Sequence, residues 1–290
     1  MLFIVALLYG ANYTIAKYAM PEYVGAFGFI AIRVICTTIL FWVLHQIIDG
    51  EKITSKRDYW RLAFSGLFGV ALNQLFFFKG LSLTTPINAS IIMTINPVVV
   101  VVGAYFVGNE NLSIKKIIGL VFGLTGAYLL ITKDGASFDN DYFLGNLFVF
   151  LNACFYAAYL IIVKKLMLKY HSLTVIKWVF LFGGLIAVPV GFPELLKVDW
   201  VNLPKVAWLS IIYVVIGVTF FAYLLNAWAL KFVNSSVVGV YIYLQPVLAT
   251  TVAILLKSDT FEFNYLIYAS LIMVSVYLVS MRSSKSLPKS

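Results

Sequence analysis

The sequence predicts an all-α integral membrane protein with ten transmembrane helices, arranged as two inverted five-helix repeats around a central cavity. Three observations predict it. The 290 residues are 62% hydrophobic and only 11% charged, where a soluble domain holds about 25% charged residues. The apolar runs are each close to the roughly 20 residues that a helix needs to cross a bilayer. One run, 86–107, is interrupted at its centre by Asn96-Pro97, and the same device returns 149 residues later as Gln245-Pro246 in the run 235–256.

The ten runs are 2–19, 24–48, 59–80, 86–107, 114–132, 143–166, 173–192, 205–229, 235–256 and 263–281. The first begins almost at Met1, with no basic stretch and no small-residue cleavage site, so no cleavable signal peptide is expected. Cys36 and Cys154 both lie in apolar runs and read as packing residues, not as a disulfide or a metal site. In the fourth run Pro97 has no N–H to give and frees a carbonyl near Met93 at mid-membrane. Lipid cannot satisfy that carbonyl or the Asn96 amide, so both should face protein or a wet cavity. Connections are short. The longest polar stretch, KDGASFDNDY at 133–142, divides the chain into repeats at 1–133 and 142–282.

The halves match weakly. Asn96 aligns with Gln245, Pro97 with Pro246, Leu81 with Leu230, Glu110 with Asp259 and Tyr128 with Tyr277, all at an offset of 149. YGANYTIAK at 9–17 matches YAAYLIIVK at 156–164. Five spans per half is an odd number, so the second copy must insert upside down. Charge agrees with that topology. With both termini cytoplasmic, 14 of the 21 Lys and Arg fall on the cytoplasmic side, 6 on the other, and Arg33 within a span. The net charge of +9 is thereby explained by loops at a membrane and calls for no nucleic acid. Trp60, Trp200 and Trp208 stand near span ends, where an aromatic belt puts them.

The chain resembles the EamA family of ten-helix permeases in the drug/metabolite transporter superfamily. The resemblance rests on YGANYTIAK in the first span, Arg33 in the second, QLFFFKGLSLTTPINASIIMTINPVVVVVGAYFVGNE at 74–110 and GLVFGLTGAYLLI at 119–131. The second half repeats it more loosely from Trp228 through Gln245-Pro246 to Tyr277, and LLKSDTFEF at 255–263 replaces the family's usual glycine-glutamate turn. The resemblance implies export, exchange or facilitated diffusion of small metabolites across a cell (inner) membrane, without a cofactor. It implies a carrier whose partners are a small solute and the lipid bilayer; the sequence is compatible with a monomer and does not fix the oligomeric state.

Polar groups inside spans are costly and tend to face the bundle interior. Those present are Asn12, Arg33, Asn73, Gln74, Lys79, Asn88, Asn96, Asn152, Asn226 and Gln245. An interhelical hydrogen bond is the plain alternative for any one amide. A proline-broken span at matching places in two halves points to a transporter's binding site, which favours Asn96-Pro97 and Gln245-Pro246. Helical spacing sets amides beside aromatic rings: Asn73 with Phe76 and Phe77, Asn152 with Tyr156 and Tyr159, Tyr223 with Asn226, and Tyr241 with Gln245. With Asn12 and Arg33 these are the candidate cavity residues. Such a lining suits an amino-acid-like or amphipathic organic solute better than an inorganic ion. Arg33 reads either as a ligand for a substrate carboxylate or phosphate, or as a structural group bonded to carbonyls or to Glu22.

None of the twelve acidic residues is mid-span, so proton antiport through a buried carboxylate is not expected. No acid pair or metal-spaced His/Glu motif lies in a span, which argues against an intramembrane enzyme. A membrane sensor or scaffold would show an effector domain, and the short loops leave no room for one. Phosphorylated or nucleotide-linked sugars are the alternative cargo, but they need a more basic cavity than Arg33 and Lys79 supply.

Overall fold

The computed structural model describes residues 2–48, 51–107, 113–229 and 244–280, and among these every regular element is a helix. That follows from the solvent, since a spanning backbone without water must satisfy its own N–H and C=O groups. In chain order the helices are α1 (Leu2–Ile15), α2 (Ala26–Ile47), α3 (Lys56–Gly66), α4 (Asn73–Leu83), α5 (Pro86–Met93) and α6 (Asn96–Phe106). They continue as α7 (Ile114–Ile131), α8 (Asp141–Met167), α9 (Ser172–Leu195), α10 (Lys205–Ile212), α11 (Ala222–Ala229), α12 (Gln245–Leu255) and α13 (Asn264–Ser280). Seven stretches are long and apolar enough to cross a membrane: Ala26–Ile47, Lys56–Leu83, Pro86–Phe106, Ile114–Ile131, Asp141–Met167, Ser172–Leu195 and Lys205–Leu225. Three shorter apolar helices, Leu2–Tyr18, Gln245–Leu255 and Asn264–Val279, coincide with the remaining expected runs. Of the ninth run, residues 235–243 lie outside the described residues.

Local chemistry places the helix ends. Thr85, Ser113, Asn140 and His171 each accept a backbone N–H in the first turn of the helix that follows, which satisfies donors that a helix start leaves free. The break in the fourth span lies where the proline requires it. Pro97 has no N–H for the Met93 carbonyl, and the chain tightens there, with Thr94 N bonded to Ile91 O and Ile95 N to Ile92 O. Helix α6 then starts at Asn96-Pro97, and α12 starts in the same way at Gln245-Pro246.

Hydropathy gives no sign of two other breaks. Leu67–Leu72, between α3 and α4, and Tyr213–Phe221, between α10 and α11, are π-helical. A shift of 149 places the first on residues 216–221 of the second. Wider turns of this kind recur at functional sites and rotate the register of the helix that follows.

The helices pack mainly across the two halves. Contacts join α2 to α9, α7 to α13, α4 to α8, α1 to α12 and α6 to α8. Without a hydrophobic drive between helices in lipid, small residues that permit close approach hold such pairs together. A Cβ at Gly191 would meet the Phe27 carbonyl oxygen of α2 at 2.1 Å, and one at Gly183 would meet Gly66 O at 2.6 Å. Gly119, Gly123 and Gly126 give α7 a smooth face against Ser275, Val279 and Ile272 of α13. Glu194, near the end of α9, accepts the backbone N–H groups of Phe27 and Gly28 at 2.8 and 2.9 Å and so caps α2 from the other half. Large apolar side chains such as Ile39, Phe106, Val121 and Leu185 point outward, as lipid-facing residues do.

Candidate functional site

A cavity of about 360 Å³ lies between the halves. Helix α1 lines it along one face with Leu2, Val5, Ala6, Tyr9, Asn12 and Tyr13. These recur every three or four residues and cover about 16 Å of helix axis. Arg33 enters from α2, while α4 supplies Asn73, Gln74 and Phe77. Ser90, Met93, Thr94 and Asn96 surround the proline break, and α8 contributes Asn152 and Tyr156. Val218, Tyr223, Gln245 and Pro246 complete the wall from the second half. Past Tyr13 the neighbouring residues Ala16, Ile87, Asn88 and Ala253 are fully buried. Lys17 donates to the Thr84 carbonyl at 2.6 Å at that end, and Asp259 accepts from Ile87 N at 3.2 Å.

The wall is polar in a particular way. Asn73 and Asn152 bind each other's backbones: Asn152 Nδ2 donates to Asn73 O at 2.7 Å, and Asn73 Nδ2 to Asn152 O at 3.5 Å. Both amides are thereby fixed in orientation. Asn12 Oδ1, Gln74 Oε1, Asn96 Oδ1 and Asn152 Oδ1 are buried with no hydrogen-bond partner among the described residues. A buried acceptor without a donor costs about 1–3 kcal/mol, so these four oxygens are a local cost carried by residues of the cavity wall.

A profile of the EamA-like transporter family matches residues 1–132 and 143–281. The chain belongs to that family. It is therefore a multi-pass membrane transporter and not an enzyme. An uncharacterized transporter of Archaeoglobus fulgidus is 26% identical over 83% of this chain and 82% of its own length. The uncharacterized transporter YyaM of Bacillus subtilis is 24% identical, with 84% and 81% covered. The uncharacterized inner membrane transporter YicL of Salmonella typhimurium is 23% identical, with 97% and 94% covered. A protein crystal structure of 20% sequence identity shares the fold with a TM-score of 0.64, over 96% of this chain and 95% of its own.

Of the residues expected at the cavity of this EamA transporter, Asn12, Arg33, Asn73, Phe77, Asn96, Asn152, Tyr156, Tyr223, Gln245 and Pro246 line it. Pro97 and Tyr159 do not. Pro97 makes the break but is itself only half-buried at the start of α6. Tyr159 lies 60° around α8 from Tyr156 and packs on Gly69, where a Cβ would meet its ring at 2.4 Å. Tyr241 lies outside the described residues, as does the side chain of Asn226. Phe76 turns from the cavity to the rings of Phe148 and Phe155 at 5.4 and 5.0 Å. Tyr9, Tyr13, Ser90 and Thr94 also line the cavity, beyond the residues expected there. For the two tyrosines the signal was present, because Tyr9, Asn12 and Tyr13 keep helical spacing.

Arg33 is 7% exposed. Its Nε donates to Thr219 Oγ1 at 2.6 Å, and its guanidinium carbon lies 5.0 Å from the centre of the Phe78 ring. Thr219 in turn donates its hydroxyl proton to Val214 O at 2.8 Å, so its lone pairs face Arg33. The expected alternative partner, Glu22, is exposed at the surface. Thr219 belongs to the π-helical stretch of the other half, an acceptor that a search for carboxylates or carbonyls passes over.

Among the described residues, no group of three or more His, Cys, Asp or Glu side chains could hold a metal ion.

Proposed function

We propose that this chain carries small organic solutes, amino-acid-like or amphipathic, across a cell (inner) membrane by alternating access. The observation that carries the reading is the cavity itself, walled by both halves, with Asn96 and Gln245-Pro246 at the two proline breaks. The ten spans, the repeats at 1–133 and 142–282, their inverted relation and the cytoplasmic placement of both termini belong to the same proposal. Contacts support the pseudo-two-fold relation. Exchange of each span with its counterpart five places on turns the contact of α1 with α12 into that of α8 with α6. It turns the contact of α4 with α8 into that of α11 with α1, and returns α2 with α9 and α7 with α13 to themselves. Phosphorylated or nucleotide-linked sugars fit less well, because Arg33 is the one basic residue among the described lining residues. A monomer is sufficient, since one chain encloses the cavity.

Counterflow in proteoliposomes tests this. Vesicles preloaded with unlabelled amino acids should accumulate a labelled member of the pool. Asn96→Ala and Gln245→Ala should each reduce accumulation several-fold, the cost of one or two lost hydrogen bonds. Accumulation unaffected by both would move the site away from the breaks.

A further inference from the structure

We infer that the solute carries a single carboxylate, seated on the terminal nitrogens of Arg33, and that this group is required for transport. The inference rests on the carrier reading above and narrows it: solutes without a carboxylate are excluded.

The argument begins with what Arg33 lacks. A buried guanidinium without a counter-charge is expensive and persists where something supplies one. Among the described residues its one hydrogen bond is from Nε to Thr219, and no carboxylate lies within ion-pair distance. Nε is pinned by Thr219 and the guanidinium carbon lies over the Phe78 ring, while no bond to a described residue engages the terminal nitrogens. Two such nitrogens match the two oxygens of a carboxylate. Tyr223 lines the same cavity and brings a polar hydroxyl to its wall.

The charge on the solute follows from the charge on the wall. One cation balances one negative charge. A phosphomonoester brings about −1.5 to −2 and would leave an excess buried in the site. The volume agrees, because about 360 Å³ is near the lower bound of roughly 300–1,000 Å³ for ligand pockets. The unpartnered oxygens of Asn12, Gln74 and Asn152 belong to side chains that are 5%, 3% and 1% exposed. Those oxygens are closed off from the cavity, so the end of the solute that the wall reads is the anionic one, at Arg33.

The test uses the full chain in proteoliposomes and a labelled panel of amino acids and 2-oxo acids. Each acid is competed against its own primary amide and methyl ester. The expected result is that the acids compete at least about tenfold better, the size of a charge-assisted bond. Arg33→Gln should remove that preference while size-exclusion and melting profiles stay those of a folded protein. Arg33→Lys should retain part of it, as a point charge without the fork. If Arg33→Gln does not fold, the wild-type comparison and Arg33→Lys still decide. Equal competition by acid and ester, or preference for the acid that survives Arg33→Gln, overturns the inference and leaves the carrier standing. No counterflow of any compound overturns the carrier reading and this inference with it.

Discussion

Asp58 and Arg33 are both buried, 3% and 7% exposed, and their surroundings differ. Asp58, in the first turn of α3, accepts from Lys169 Nζ at 2.5 Å, Tyr170 Oη at 2.9 Å and Arg61 Nη1 at 3.3 Å. Its charge is matched and its lone pairs are used. Arg33 has a threonine hydroxyl and the face of a ring. A fold that tolerates a matched charge needs no ligand to explain it. A fold that holds an unmatched one rigidly, at the wall of a cavity, is arranged around something that arrives. Burial alone does not separate the two residues, and a count of partners does.

The largest expected effect tests the structural member of the pair. Asp58→Ala removes the acceptor from the Tyr170 hydroxyl, which is itself buried, and from Lys169. Stability should fall by about 1–3 kcal/mol, read as a lower melting temperature in detergent. The KM of the reconstituted protein for its solute should be unchanged, because Asp58 does not line the cavity. A rise in KM as large as that of Arg33→Gln would erase the distinction between the two charges.

A smaller effect sharpens it. Thr219→Val keeps the shape and leaves Arg33 charged, but removes the oxygen that holds Nε. Thr219 acts through Arg33 as a positioning residue, so KM should rise several-fold, about 0.5–1.5 kcal/mol, with kcat little changed. Thr219→Ser should restore it. A melting temperature that falls while KM stays put would make the contact structural.

The sequence shows why Arg33 draws attention and why its setting stays hidden. A lone charge in an apolar run is visible in one dimension, as are the prolines at 97 and 246, and the amides beside them do reach the cavity. Helical spacing singled out Asn152 and Tyr156, and polarity inside a span singled out Asn12; all three line the cavity. Helical spacing failed where the period changes. Leu67–Leu72 and Tyr213–Phe221 are apolar whether α- or π-helical, so composition carries no mark of the wider turn. That turn sets the register after it: Asn73 and Gln74, neighbours in sequence, both reach the cavity while Phe76 turns out to α8. Tyr159 fails for a related reason, since amide-aromatic spacing identifies a face but not which partner that face meets. The acceptor for Arg33 comes from 186 residues away, which no local pattern contains.

The smallest effect concerns a matched charge outside the spans. Lys133, just past α7, donates to Glu262 Oε1 at 3.0 Å and to Tyr265 Oη at 3.1 Å. Burial pushes its ammonium down, but the bonds to Glu262 and Tyr265 outweigh it and hold Lys133 above its ordinary value. A raised value in the folded state means that the stabilisation is fully present below the unfolded pKa, about 10.4, and is lost as pH rises through the folded value. Glu262 is 46% exposed, so Glu262→Gln should cost less than about 1 kcal/mol. The melting difference from wild type should stay flat from about pH 7 to 9 and shrink only above about pH 10. It should also shrink in 1 M salt, where the screening length falls to about 3 Å. The preference of Arg33 for an acid over its ester, if the charge is sealed in the cavity, should persist in the same salt. Salt that erased both alike would place Arg33 in contact with bulk water and return the two kinds of charge to one.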